Sequence, residues 1–145
     1  MESGKLNARW AKDPGATGFE WLSRDPAVAA AFAADPLCFD ADTAKLLGVA
    51  DSLRLLGTPG PGLAADVPIL LIAGSDDPLS RGDSLRLLAE AYRARGVRDV
   101  SLRIYPGARH ELLNETNRDE VTADVINWLT DRAPSSSGAG AGAEL

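Results

Sequence analysis

The 145 residues contain one cysteine, Cys38, and one histidine, His110. The first excludes an intrachain disulfide and a thiolate-rich metal site, and the second excludes a metal site built from several imidazoles. No run approaches the roughly 18 apolar residues that a membrane span needs. Basic residues are in the minority: 15 Lys and Arg against 21 Asp and Glu give a formal net charge of -6. A nucleic acid is therefore not expected as a partner, because neutralising phosphates takes clustered Lys and Arg. Nowhere do the glycines form Gly-x-Gly-x-x-Gly after a strand, so no dinucleotide cofactor is expected. The N-terminus has no basic segment leading into an apolar one. A secretory signal is not expected, and a reducing cytoplasm is the expected setting.

What is present suits a globular chain, with 45% hydrophobic and 25% charged residues, enough to build a core. Residues 1 to 18 show no period and read as an irregular lead-in. Asp25 and Pro26 begin a helix as N-cap and first helical residue, and Pro36 stops it near Asp35. A second helix starts near Asp42 or Thr43 and carries Leu46, Val49, Leu53 and Leu56 on one stripe before Gly57 ends it. Thr58-Pro-Gly-Pro-Gly62 is a loop.

The period then changes. Ile69 to Ala73 is apolar at every position, as in a strand buried on both faces of a parallel sheet. Gly74-Ser-Asp-Asp-Pro78 is turn chemistry. A helix from about Asp83 to Gly96 carries Leu85, Leu88, Ala89 and Tyr92. Val100 to Tyr105 alternates, which suits an edge or a half-solvated strand. The last helix opens at Asn117 with Glu120 three residues on, a capping-box-like start, and its buried stripe is Val121, Val125, Trp128 and Leu129. From Ala133 the tail is small and polar and is expected to be disordered.

The expected architecture is α/β: two helices, then a parallel βαβα unit. Two strands do not complete a parallel sheet, and the apolar strand would keep an open edge prone to pairing with other chains. The chain is therefore expected to be part of a larger domain.

Sites in open α/β sheets form outside the carboxyl ends of the strands. Two turns lie there, Gly74 to Leu79 with its paired carboxylates and Pro106 to Glu111 with the only imidazole. If the strands are parallel neighbours, a carboxylate of the first turn can fix the tautomer of His110 and stabilise its protonated form.

Gly74-Ser-Asp-Asp-Pro-Leu79 resembles the acid turn of α/β-hydrolases of the monoacylglycerol lipase and serine aminopeptidase type. Leu102-Arg-Ile-Tyr-Pro-Gly-Ala-Arg-His-Glu-Leu-Leu-Asn-Glu115 resembles the same family's last strand and histidine loop. Phe19 to Pro26 and Ala34 to Phe39 resemble its cap segment. The resemblance implies Asp77, rather than Asp76, as the triad acid and His110 as the triad histidine, with Asn114 and Glu115 bracing the histidine loop. It implies that residues 1–62 are lead-in and helical cap, 63–132 the C-terminal βαβα part of the hydrolase core and 133–145 a tail. The family's Gly-x-Ser-x-Gly nucleophile elbow does not occur in this sequence. Ser75, Ser80 and Ser84 lack the flanking glycines, and the oxyanion-hole segment is also missing.

The expected function is accordingly the C-terminal part of a serine hydrolase for small apolar carboxylic esters (monoacylglycerol- or lysophospholipid-like) or amides, inactive alone and needing no metal or cofactor. A complementing N-terminal half is a possible partner. The alternative is a non-catalytic module that binds a ligand or partner through the cap helices and the open sheet edge. Trp10, Trp21 and Trp128 are expected in packing rather than in an acyl pocket, and Cys38 as a small buried thiol.

Overall fold

The computed structural model describes residues 3–38, 43–55, 59–60, 62–80 and 82–133. The expected tail at 134–145 and the end of the second helix at Leu56 and Gly57 lie outside the described residues. The elements run α1 (Ser3–Leu6), a 3-10 turn (Glu20–Leu22), α2 (Pro26–Ala34), α3 (Thr43–Leu55), β1 (Ile69–Gly74), α4 (Ser84–Ala94), β2 (Val100–Tyr105), a second 3-10 turn (Leu112–Asn114) and α5 (Arg118–Thr130).

β1 and β2 pair in parallel, with Ile69 opposite Val100 and Gly74 opposite Tyr105. The register therefore brings the carboxyl ends of both strands level, which places the two candidate turns side by side. Side chains alternate between faces. Ile69 and Leu71 pack with Ala89, Val97 and Val100 under α4. Ile72 packs on the other face against Tyr105, Ala108, Leu112 and Val121 of the histidine loop and α5. Trp128 of α5 anchors to β2 through Nε1, which donates to Ser101 Oγ at 3.0 Å.

Local chemistry sets the helix ends. The Asp25 side chain accepts from the Ala27 N–H, and Pro26 holds the first helical position of α2. α4 ends where Gly96 takes φ 93 and the Val97 N–H reaches Tyr92 O at 3.2 Å, a Schellman closure that favours glycine.

Several expectations are corrected. The lead-in is not wholly irregular: α1 forms, and Leu6, Asn7 and Trp10 are buried. Asn7 is the tie, donating to Glu20 Oε2 at 2.6 Å and accepting from the Trp21 N–H at 2.9 Å. At Leu46 and Val49 the α3 stripe does not face a core, since these residues are 64% and 68% exposed. Gly48, at φ 78, breaks the helical run there, a conformation open to glycine. β1 is half-buried over Ile69–Ile72 and buried only at Ala73 and Gly74, because one strand flanks it. In β2, Ile104 is exposed. At α5, Asn117 makes no side-chain cap. Its Oδ1 instead accepts from Arg24 Nη2 at 2.6 Å while its Nδ2 donates to Glu120 at 2.8 Å. Val121 of the α5 stripe is buried, but Leu129 is exposed. Cys38 is half-exposed rather than buried. Desolvation and then the neighbouring Asp35 push its thiol pKa up, which opposes thiolate chemistry.

Candidate active site

Asp77 follows β1 and His110 follows β2, and the two side chains meet. His110 Nδ1 lies 3.1 Å from Asp77 Oδ2. The carboxylate can only accept, so Nδ1 carries the proton and donates, leaving the Nε2 lone pair outward as a base. Asp77 is 6% exposed at its side chain and His110 is 38% exposed. The carboxylate is thus sequestered while the imidazole is accessible.

The turn around Asp77 keeps it ionised. Its Oδ1 accepts from the Leu79 N–H at 2.9 Å, and Ser80 Oγ donates to Oδ2 at 3.3 Å. Burial pushes the carboxyl pKa up, but the hydrogen bonds from His110 and the Leu79 amide outweigh it, and the net shift is downward. The His110 pKa moves upward, first through its hydrogen bond to Asp77, against desolvation, with the Asp77 and Glu111 charges adding. Asp76, the other carboxylate of the turn, points away to Arg9 at 3.0 Å. Of the two carboxylates of the turn, Asp77 is the one that meets the imidazole.

The turns are stitched by backbone. The Asp76 N–H donates to Ala108 O, the Ser75 N–H to Tyr105 O, and the Gly107 N–H to Ser75 Oγ at 2.8 Å. Ser75 is thereby a structural hydroxyl, Ser80 is committed to Asp77, and Ser84 opens α4.

The 3-10 turn before α2 forms the other wall. Trp21 O accepts from the His110 N–H at 3.4 Å, and Leu22 O from the Glu111 N–H at 2.7 Å. The Trp21 ring sits 5.0 Å from the imidazole, tilted by 40°. Of the other tryptophans, Trp10 carries the Arg109 guanidinium 4.4 Å over its ring and Trp128 that of Arg132 at 4.3 Å, so both are packing residues.

Beneath this layer lies Glu115, fully buried. Its carboxylate accepts from the Arg24 N–H, Arg24 Nε, the Arg109 N–H and the Thr116 N–H. Burial pushes its pKa up, the Arg109 amide and the Arg24 side chain pull it down, and the net shift is downward. Asn114, the other expected brace, contributes its backbone oxygen to Ser23 Oγ at 2.9 Å, while its side chain donates to Glu111. Nothing in the sequence marks Arg24 or Arg109 as part of a site. Charged residues in a loop look the same there whether solvated or clamped on a buried carboxylate.

The family model for serine aminopeptidase, S33, matches residues 4–117. The chain belongs to this hydrolase family. It is 36% identical over 110 residues to the monoacylglycerol lipase of Mycolicibacterium smegmatis, covering 74% of this chain and 38% of that protein. Its fold is similar to a thermostable carboxyl esterase from Bacillus coagulans, with a TM-score of 0.68 and 26% identity over 89% of this chain and 43% of that one. It is also similar in fold to a monoacylglycerol lipase from Paleococcus ferrophilus, with a TM-score of 0.60 and 22% identity over 90% of this chain and 52% of that one. The architecture is thus that of part of an α/β-hydrolase, and the chain spans 38% of the curated relative it matches. Among the described residues, no helix is long and apolar enough to cross a membrane.

Proposed function

We propose that this chain carries the acid and histidine of a serine hydrolase whose nucleophile lies outside these 145 residues. The observation that carries the reading is the Asp77–His110 hydrogen bond of 3.1 Å at the level carboxyl ends of two parallel strands. Asp77 holds the imidazole with Nε2 free. His110 takes the proton of a serine hydroxyl as that oxygen attacks an acyl carbonyl, then returns it to the leaving oxygen or nitrogen. Water repeats the cycle to release the acid.

The substrates proposed are small apolar carboxylic esters of the monoacylglycerol or lysophospholipid kind, or amides. The similar mycobacterial protein, a monoacylglycerol lipase, favours the esters. Without a Gly-x-Ser-x-Gly elbow the chain alone is inactive, and a complementing N-terminal half is its natural partner. A reducing, cytoplasmic setting belongs to the same reading, since one cysteine cannot form an intrachain disulfide. The second reading, a binding module, draws on the exposed Leu46, Leu47 and Val49 of α3.

The test joins this chain to the N-terminal part of the mycobacterial lipase and measures hydrolysis of a monoacylglycerol and a p-nitrophenyl ester. Turnover is expected, falling by about 10³-fold or more with His110→Ala. A folded, inactive joined protein, or one indifferent to His110→Ala, would refute the reading.

A further inference from the structure

Trp21 faces the imidazole ring to ring. The centroids are 5.0 Å apart with the planes tilted by 40°, and the backbone keeps the pair together through the His110 N–H on Trp21 O at 3.4 Å. Within about 6 Å of its centroid an indole face attracts a cation more strongly than any other side-chain ring. A neutral imidazole gains little from that face, and an imidazolium gains most of it.

Packing alone does not account for an indole at this position. The Trp21 Nε1–H is buried and has no acceptor among the described residues, a cost that a phenyl ring in its place would not carry. Trp128, by contrast, donates its Nε1–H to Ser101 Oγ at 3.0 Å. The charged neighbours of Trp21 are engaged elsewhere. The Glu20 carboxylate accepts from Asn7 Nδ2 and Thr17 Oγ1, Arg24 Nε donates to Glu115, and the Arg109 guanidinium donates to Glu20 O and Ser23 O. The charges that act on the imidazole are Asp77 from the acid turn and Glu111 from its own loop. On the side of the 3-10 turn, the ring meets the indole.

We propose that Trp21 is a positioning residue that acts through His110: its indole face steadies the imidazolium formed when Nε2 takes the proton of the nucleophile. Asp77 stabilises that charge at Nδ1 by a hydrogen bond, and Trp21 does so from beside the ring. The proposal rests on His110 being the general base assigned above, but its first test needs no turnover.

His110 is the only histidine, so an NMR titration of the intact chain follows its ring without overlap. Trp21→Leu keeps an apolar cover and removes the π face, and the midpoint is expected to fall by about half a unit. Trp21→Phe, whose face attracts cations less, should lower it by less. If the indole only shut out water, Trp21→Leu would admit it and the midpoint would rise, since desolvation holds it down. If the loss of Trp21 only loosened the hold on Asp77, the fall would vanish in an Asp77→Asn background. The fall should persist there, because the indole acts on the ring directly. An unmoved or raised midpoint in folded Trp21→Leu, or a fall that is absent with Asp77→Asn, overturns the proposal. Should Trp21→Leu not fold, Trp21→Phe loses no hydrogen bond, and an unmoved midpoint there overturns it equally.

In the joined enzyme, Trp21→Leu should lower kcat about threefold, the factor that half a unit represents, at unchanged KM. The imidazolium arises only on the way through the transition state, so its loss does not touch substrate binding. A raised KM with kcat unchanged would make Trp21 a wall of the substrate pocket and overturn the proposal. An inactive joined enzyme would refute the hydrolase reading and leave the titration standing.

Discussion

Gly74 and Ala108 meet backbone to backbone: a Cβ built on Gly74 would lie 2.0 Å from the Ala108 carbonyl oxygen. That same oxygen accepts the Asp76 N–H at 3.0 Å. The acid turn and the histidine loop thus approach too closely for any side chain between them, and glycine is what lets Asp77 reach His110.

Gly74→Ala must push the two turns apart, because the obstacle is backbone and cannot rotate away. The expected cost is about 3 kcal/mol, at the upper end for overpacking, read from urea denaturation. The His110 titration midpoint should fall alongside it. Wild-type stability in Gly74→Ala would mean that the turns are not in this contact.

Ser75→Ala removes the acceptor of the Gly107 N–H. The site is exposed, so water replaces the hydroxyl and the loss should be about 1 kcal/mol or less. In the joined enzyme, hydrolysis should survive. Abolition would instead mark Ser75 as the nucleophile.

Glu115→Ala leaves several donors and the Arg24 guanidinium without their acceptor. Breaking a buried pair from one side costs roughly 3 kcal/mol or more. Since the Glu115 carboxyl lies below its ordinary value, its contribution is present above about pH 4.3 and is lost as pH falls. The stability gap between wild type and Glu115→Ala should narrow in acid, as measured by denaturation at several pH values.

The Asp77–His110 pair has its own pH window. Asp77 is shifted down, so its contribution is present above about pH 3.9 and lost as pH falls. His110 is shifted up, so its contribution is complete below about pH 6.5 and disappears as pH rises through the higher folded value. The stability difference between wild type and Asp77→Asn should therefore peak between about pH 4 and 6.5. Its size should stay near 1 kcal/mol or less, because the imidazole is more than a third exposed. A difference that is flat across that range would contradict the pairing.

Much of this was legible in the residues. The apolar run at Ile69 and the alternation at Val100 mark strands by period, and the rule that sites lie at strand carboxyl ends leads to the turn of Asp76 and Asp77 and to the turn of His110, the resemblance choosing Asp77 of the pair. The Asp25–Pro26 start and the Gly96 stop of their helices depend on one or two residues each and are equally readable. For Glu115 the family resemblance implies a brace, but no local pattern names its partner, since the clamp joins Arg24 to Glu115 across 91 positions. Asn7 likewise looks like a loop residue until Glu20 and the Trp21 amide close on it. The α3 stripe has helical spacing, but spacing does not say what covers it, and in this chain Leu46 and Val49 face outward.

The most direct measurement is the NMR titration of the single imidazole in the intact chain and in Asp77→Asn. His110 should titrate above about 6.5 in the wild type and fall to or below that value when the carboxylate is removed, with desolvation then dominating. An identical midpoint in both proteins would mean that Asp77 does not hold His110, and the acid–histidine pair would fail as the centre of the site.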